Sequence, residues 1–233
     1  NRQIVKTYAD STADRYGYFR DELYYIACGE HLSFGYVDHP PFIALAAAFT
    51  RLLLGDSILA IRFFAVLSSS FVVVLTGLTA RRLGAGRFGQ ALAALGIIIS
   101  PTMLFMSHIL SMNVFDVLFW LLGAYLLIRF IQAQNPRIWL GLGLVLGLGL
   151  QNKHSMLFFG FGLFIALLLT PLRRQLLTRW PWLAAGLAFV IFLPNIIWQA
   201  VNGFPTLEFM RNAQQYKISH ISPSDFLQGH MFD

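Results

Sequence analysis

The sequence predicts an all-α fold: a polytopic transmembrane helix bundle of the kind that carries a long outer loop with juxtamembrane helices. Of 233 residues, 57% are hydrophobic and only 12% are charged, whereas about a quarter of the residues of a soluble domain are charged. The apolar residues form continuous runs about as long as a bilayer crossing, not an alternation at every second position. This pattern favours transmembrane helices over barrel strands.

Charge and cysteine content exclude other classes. The net charge is +6, but the basic residues form short clusters between apolar runs instead of one polar face, which argues against nucleic-acid binding. Cys28 is the only cysteine, so neither an intrachain disulfide nor a cysteine-built metal site can form. The chain opens on a polar stretch with no signal peptide. We expect it to start inside a longer protein.

The apolar runs divide the chain into three parts. Residues 1–56 are predicted to be an outer loop, 57–200 a bundle of about six spans, and 201–233 the start of a further outer loop. The predicted crossings are Ser57 to Ala80, Phe88 to Ser107, Phe115 to Ile131, Ile138 to Leu150, Ser155 to Thr170 and Pro181 to Gln199. The fourth is short, and its small-xxx-small spacing, as at Gly143 and Gly147, predicts close helix packing.

The connections between these runs predict the orientation. Three connections contain basic residues and no acid: Arg81, Arg82 and Arg87; Arg129 and Arg137; Arg173, Arg174 and Arg179. If each run crosses once, all three lie on one side, which the positive-inside rule makes cytoplasmic. Every acidic residue then lies outside or at an outer helix end, namely Asp10, Asp14, Asp21, Glu22, Glu30, Asp38, Asp56, Asp116, Glu208, Asp225 and Asp233.

The loop from Tyr18 to Leu54 combines carboxylates, aromatic residues and a Pro-Pro pair. Two interfacial helices are predicted in it, Glu22 to Leu32 and Phe42 to Leu53, and the second follows prolines that suit a helix start.

Several polar residues have two interpretations. Arg62 lies inside the first span and is either paired there or an arginine that reaches the interface. Asp116 is either a functional acid or an ordinary acid at a helix N-terminus. Lys153, beside His154, is either a site residue or an interfacial anchor.

Four segments together resemble a known family. RDELYYIACGEHLSFGYVDHPPFIAL, SHILSMNVFDVLFWLLGAYLL, LGLGLQNKHSMLF and FLPNIIWQAVNGFPTLEF are similar, in this order, to bacterial membrane glycosyltransferases. These are related to dolichyl-phosphate-mannose protein mannosyltransferases and to the lipid A aminoarabinose transferase. The resemblance runs from Tyr18 to about Phe209.

This resemblance implies a GT-C fold in the bacterial inner membrane, with the site facing the periplasm. It implies a polyprenyl-phosphate sugar donor and a protein, lipid or glycan acceptor. Family members also have a helix before the loop and several after the last span here, so we expect an N-terminal portion of a longer enzyme.

Site residues follow from the same resemblance. Asp21 matches the loop acid taken as catalytic, with Glu22 beside it, and Asp116 matches a second outer acid. Asp38 and His39 stand where aminoarabinose transferases have an acid and a lysine, and Tyr24 stands where they have an arginine. Lys153, with His154 next to it, matches a basic residue near the donor phosphate.

These residues suggest a mechanism. Asp21 is the expected general base, and Lys153, with His39 or Arg62, would offset the charge of the departing phosphate. Asp38, Glu22 and Asp116 could orient sugar hydroxyls or hold a divalent cation, with Asp38 and Glu22 as the candidate ligands. No organic cofactor is expected, and a single displacement would invert the anomeric carbon. The alternatives are a transporter or flippase, and a noncatalytic scaffold.

Overall fold

The computed structural model describes residues 17–216, and within them the only regular structure is helical. Of the predicted features, Asp10, Asp14, Asp225, Asp233 and the stretch 217–233 lie outside the described residues. The helices are α1 Arg20–Glu30, α2 Phe42–Leu54, α3 Ile58–Arg82, α4 Arg87–Ile98, α5 Pro101–Ser107, α6 Met112–Ala133, α7 Ile138–Asn152, α8 Met156–Leu169, a 3-10 helix Pro171–Leu177, α9 Arg179–Val201 and α10 Pro205–Tyr216. The predicted all-α fold class is confirmed.

Within residues 17–216, three helices, α3, α6 and α9, are long and apolar enough to cross a membrane on their own. The count rises to five if each of two bent helix pairs is one span. The predicted fourth span corresponds to α7, an apolar helix of 15 residues, which is about 22 Å long at 1.5 Å per residue. The protein is therefore a multi-pass helical membrane protein.

Both bends occur where proline begins a helix. The predicted span from Phe88 to Ser107 is divided into α4 and α5, which meet at 63°. Pro101 is in the first turn of α5, and the Ser100 hydroxyl accepts a hydrogen bond from the Met103 amide. The second bend, of 108°, separates α8 from the 3-10 helix that starts at Pro171. A proline cannot donate to the preceding turn, so the helix restarts there in a new direction.

Helix α7 packs between α6 and α9, and its glycines allow the close contact with α9. A Cβ atom on Gly143 would lie 2.5 Å from the carbonyl oxygen of Ala184 and 2.7 Å from its Cα. A Cβ on Gly147 would lie 2.8 Å from the Ile191 Cβ. The predicted close packing at the small-xxx-small spacing is confirmed, because only hydrogen fits at these positions.

The outer loop is packed onto the bundle. Helix α1 contacts α2, and α2 contacts α3. Tyr25 of α1 and Ile43 of α2 share a buried core with Ile61 of α3 and Val114 of α6. The loop helices therefore have fixed positions relative to the spans.

We predict that Gly143→Ala lowers the stability of the protein by about 1–3 kcal/mol, the usual cost of overpacking a filled contact. Gly162→Ala is the matched control, since a Cβ at Gly162 of α8 meets no atom within 4 Å. Thermal unfolding in detergent would measure both. Equal melting temperatures for the two variants would contradict the packing described for α7 and α9.

Candidate active site

The two ends of the bundle differ in charge. The end that we call the loop end carries residues 17–56 and the turns around 108–111 and 153–155. Hydrogen bonds join these segments: the Leu110 amide donates to Glu22, the Asn152 amide group to the Met112 carbonyl, and Lys153 to Asn113. The opposite end, which we call the arginine end, contains residues 81–87, 129–137 and 170–180. There Gln132 donates to the carbonyl of Arg82.

Glu22 and Arg62 form a buried ion pair at the loop end. Arg62 donates from Nε to Oε1 at 2.9 Å and from Nη2 to Oε2 at 2.8 Å. The Phe19 amide donates to Oε2 and the Leu110 amide to Oε1, both at 2.8 Å. Glu22 is completely buried, and each of its oxygens accepts two hydrogen bonds. This arrangement favours a structural role for Glu22 over the predicted catalytic and metal-binding roles, and it gives Arg62 a partner inside its span.

Asp21 is the neighbour of Glu22 but faces another way. Its side chain is 45% exposed and lies 3.2 Å from the Arg20 guanidinium. Successive residues of a helix point about 100° apart, so burial of Glu22 turns Asp21 outwards. Burial raises the pKa of Tyr25 well above its usual range, and the charges of Asp21 and Asp38 raise it further. Both carboxylates therefore lie near the Tyr25 side chain.

Asp38 accepts a hydrogen bond from the Tyr24 hydroxyl at 2.7 Å. Burial and this carboxylate raise the pKa of Tyr24, so the phenol stays protonated and donates. Tyr24, which stands where the aminoarabinose transferases are expected to have an arginine, thus supplies a neutral donor to Asp38.

His39 is fully buried beside Asp38, against the rings of Tyr24, Tyr25 and Tyr36. Its Nδ1 lies 2.8 Å from the Pro40 carbonyl, which assigns the ring proton to Nδ1. Nε2 is 3.9 Å from Asp38 Oδ1 and has no hydrogen-bond partner among the described residues. Burial lowers the pKa of His39. The ring is therefore neutral, with Nε2 as an acceptor.

Asp116 and Lys153 meet at the start of α6. The Ser155 hydroxyl donates to Asp116 Oδ1 at 2.6 Å, and Lys153 Nζ lies 3.9 Å from Oδ2. Lys153 also donates to Asn113 Oδ1 at 2.8 Å. Asn113 and Ser155 were not among the predicted site residues. The spacing of Asn113 and Asp116, three residues apart on one helix face, was the signal that could have identified the first.

A shallow, open groove of about 490 Å³ lies along one face of α6; it starts at Asp116 and is otherwise lined by Val117, Trp120 and Leu121. Its lining is therefore apolar except for one carboxylate. Because these residues belong to the first turns of a membrane-length helix, the groove lies near the loop end of the bundle.

His154 lies in the turn between α7 and α8. Burial lowers the pKa of His154, and its ring lies edge-on to that of Phe192 of α9, with the ring centres 6.0 Å apart. The loop helices and this turn share one buried core, since Tyr25 and Ile43 cluster with Leu150 and Met156 on either side of the turn. Within residues 17–216, however, no group of three or more His, Cys, Asp or Glu side chains could hold a metal ion.

An apolar multi-pass bundle with acids, a lysine and histidines gathered at one end defines a multi-pass membrane protein with a candidate polar site at that end. A family model described as dolichyl-phosphate-mannose-protein mannosyltransferase matches residues 38–198. The chain belongs to this family, and the resemblance inferred from sequence is confirmed. A search of curated proteins and a search of solved structures found no match.

Family membership makes the protein a membrane glycosyltransferase of the GT-C type. The matched segment includes Asp38, His39, Arg62, Asp116, Lys153 and His154, whereas Asp21 and Glu22 precede it.

We predict that Glu22→Ala destabilises the protein by about 3–5 kcal/mol, because Arg62 is left as an unpaired charge in a largely buried position. Asp21→Ala, one residue earlier and half-exposed, is expected to change stability by less than about 0.5 kcal/mol. Thermal unfolding and limited proteolysis of the loop would measure the difference. Equal stability of the two variants would refute the structural role of Glu22.

Proposed function

We propose that the chain forms the donor-binding and catalytic part of an inverting glycosyltransferase. It transfers one monosaccharide from a polyprenyl-phosphate donor to a protein, lipid or glycan acceptor. The reaction takes place at the loop end, on the periplasmic face of a bacterial inner membrane. The observation that carries this proposal is the Lys153–Asp116 pair at the head of an apolar groove on α6, at the same end as Asp21 and Asp38.

The groove suits a lipid-linked donor. Val117, Trp120 and Leu121 offer an apolar surface to a polyprenyl chain, while Lys153 offers a cation at the level of its phosphate. Asn113 and Asp116 hold the ammonium group of Lys153 in place. A preorganised cation stabilises the charge that develops on a leaving phosphate more effectively than one that must reorganise during the reaction.

Asp21 suits the role of general base. Of the two adjacent acids at the start of α1, Asp21 has the accessible carboxylate, since the oxygens of Glu22 are fully engaged. In the proposed step Asp21 accepts the proton of the acceptor hydroxyl as that oxygen attacks the anomeric carbon. The bond from the anomeric carbon to the phosphate oxygen breaks, and polyprenyl phosphate departs towards Lys153. One displacement of this kind inverts the anomeric configuration.

Asp38 and its neighbours suit the recognition of sugar hydroxyls. Asp38 is partly exposed and retains acceptor capacity beyond its bond to Tyr24, whereas the His39 ring beside it is fully buried. The proposed mechanism uses no metal ion. Asp38 and Glu22 were the predicted ligands of a divalent cation. Only Asp38 is free to bind one, because the Glu22 carboxylate is paired with Arg62.

We predict that Asp21→Asn lowers the rate of sugar transfer by about 10²–10⁴-fold, the usual contribution of a general base, with folding and donor binding retained. Glu30→Gln is the control, since Glu30 is an exposed acid on the same helix that pairs with Arg51. The assay follows polyprenyl phosphate released from a labelled polyprenyl-phosphate sugar by the complete enzyme in membranes. Near-normal turnover of Asp21→Asn would refute the assignment. Movement of donor across the membrane without bond cleavage would indicate a transporter.

We predict that Lys153→Gln weakens donor binding about 10- to 100-fold, because a hydrogen bond to a charged group is lost. Lys153→Arg keeps the charge and should recover part of the affinity. Binding of a non-hydrolysable polyprenyl-phosphate analogue by the purified enzyme measures this directly. Unchanged affinity of Lys153→Gln would place the phosphate elsewhere.

A further inference from the structure

A second pocket lies at the arginine end, where the chain bends by 108° between α8 and the 3-10 helix. It has a volume of about 480 Å³ and is lined by Leu169, Thr170, Pro171, Arg173 and Arg174. The whole length of the bundle separates it from the acids of the loop end. The proposed sugar transfer does not use it.

The two arginines of this pocket lack protein partners. Both are exposed, and neither guanidinium makes a hydrogen bond or ion pair with another described residue. Their neighbour Arg179 differs, since its guanidinium lies 5.3 Å from the centre of the Trp180 ring. Between Asp56 and Glu208 the sequence has one acid, Asp116, which is at the opposite end. An anion that neutralises Arg173 and Arg174 must therefore come from another molecule or from outside residues 17–216.

The surroundings of the pocket are apolar and face outwards. Leu169 is 82% exposed, Leu177 89% and Trp182 59%. Exposed leucines and a tryptophan beside arginines are typical of the level where lipid headgroups meet acyl chains. An occupant with an anionic head and apolar tails would match both parts of this surface.

The pocket is also held in a fixed shape. Leu172 and Leu176 of the 3-10 helix pack against a buried cluster that contains Phe130 and Trp139. The Trp182 indole donates to the Leu176 carbonyl at 2.8 Å. The two arginines are thus presented by an anchored segment. Guanidinium groups placed in this way can bind a phosphate through paired N–H donors.

We propose that this pocket is a binding site for the phosphate headgroup of an anionic phospholipid in the leaflet at the arginine end. Arg173 and Arg174 contact the phosphate, and the acyl chains lie against Leu169 and Leu177. The site would attach the protein to anionic lipid independently of its sugar donor.

The test is lipid binding by the intact membrane protein, measured by native mass spectrometry during titration with phosphatidylglycerol and, separately, phosphatidylcholine. The unmodified protein should prefer phosphatidylglycerol. Arg173→Gln with Arg174→Gln should lower the affinity for phosphatidylglycerol about tenfold or more, as expected for two basic groups at an anionic surface. The control pair Arg87→Gln and Arg137→Gln removes equal charge from the same end, outside the pocket, and should change affinity less than about twofold.

Other outcomes would overturn the proposal. Equal losses in both variant pairs would mean diffuse electrostatic attraction without a site. Unchanged affinity in the pocket variant would mean that the lipid binds elsewhere. Displacement of phosphatidylglycerol by an equal concentration of inorganic phosphate would make this a site for free phosphate. If the glutamine pair fails to fold, Arg173→Lys with Arg174→Lys is the second variant, because it keeps the charge. It should retain the preference for phosphatidylglycerol. Loss of this preference in a folded lysine pair would refute a phosphate site.

Discussion

The position of the outer loop depends on the ion pair between Glu22 and Arg62. A charged arginine near the start of a membrane span is costly without a partner, and a completely buried carboxylate is equally so. Here the two side chains meet through two hydrogen bonds, and backbone amides of Phe19 and Leu110 satisfy the remaining acceptor positions of the carboxylate. One side chain thus joins α1, α3 and the turn before α6.

The contacts of α1 with the bundle follow from this pair. With Glu22 turned inwards, Asp21 faces outwards, and Tyr25, one turn later, enters the core near Asp21 and Asp38. A second attachment lies further along the loop, where Asn195 of α9 donates to the Phe34 carbonyl at 2.8 Å. A Cβ on Gly35 would collide with the Trp198 ring, so the loop can approach α9 this closely only with glycine there. The loop is therefore attached to α9 as well as to α3.

Periodicity and composition were sufficient to predict the helical class, and the predicted second loop helix differs from α2 by one residue at its end. The division of the second span was missed although Pro101 marked it, because mean apolarity over a long run hides a single proline.

The roles of Asp21 and Glu22 could not be separated from sequence, since adjacent acids differ only in the direction that the helix gives them. The partners of Lys153 and Asp116 depend on how two turns meet, which no local pattern specifies. The arginine clusters indicated an orientation, but the pocket at Arg173 and Arg174 depends on the bend at Pro171.

The most direct test of this account is to map where a photoreactive polyprenyl-phosphate sugar cross-links to the complete enzyme. If the loop acids and the Lys153–Asp116 pair form one active site, adducts should form on the groove residues Val117 to Leu121 and on α1 around Asp21. Both sets should disappear when unlabelled donor competes. Adducts confined to the arginine end, or adducts at the groove that never reach α1, would contradict a single site built from the loop and the bundle.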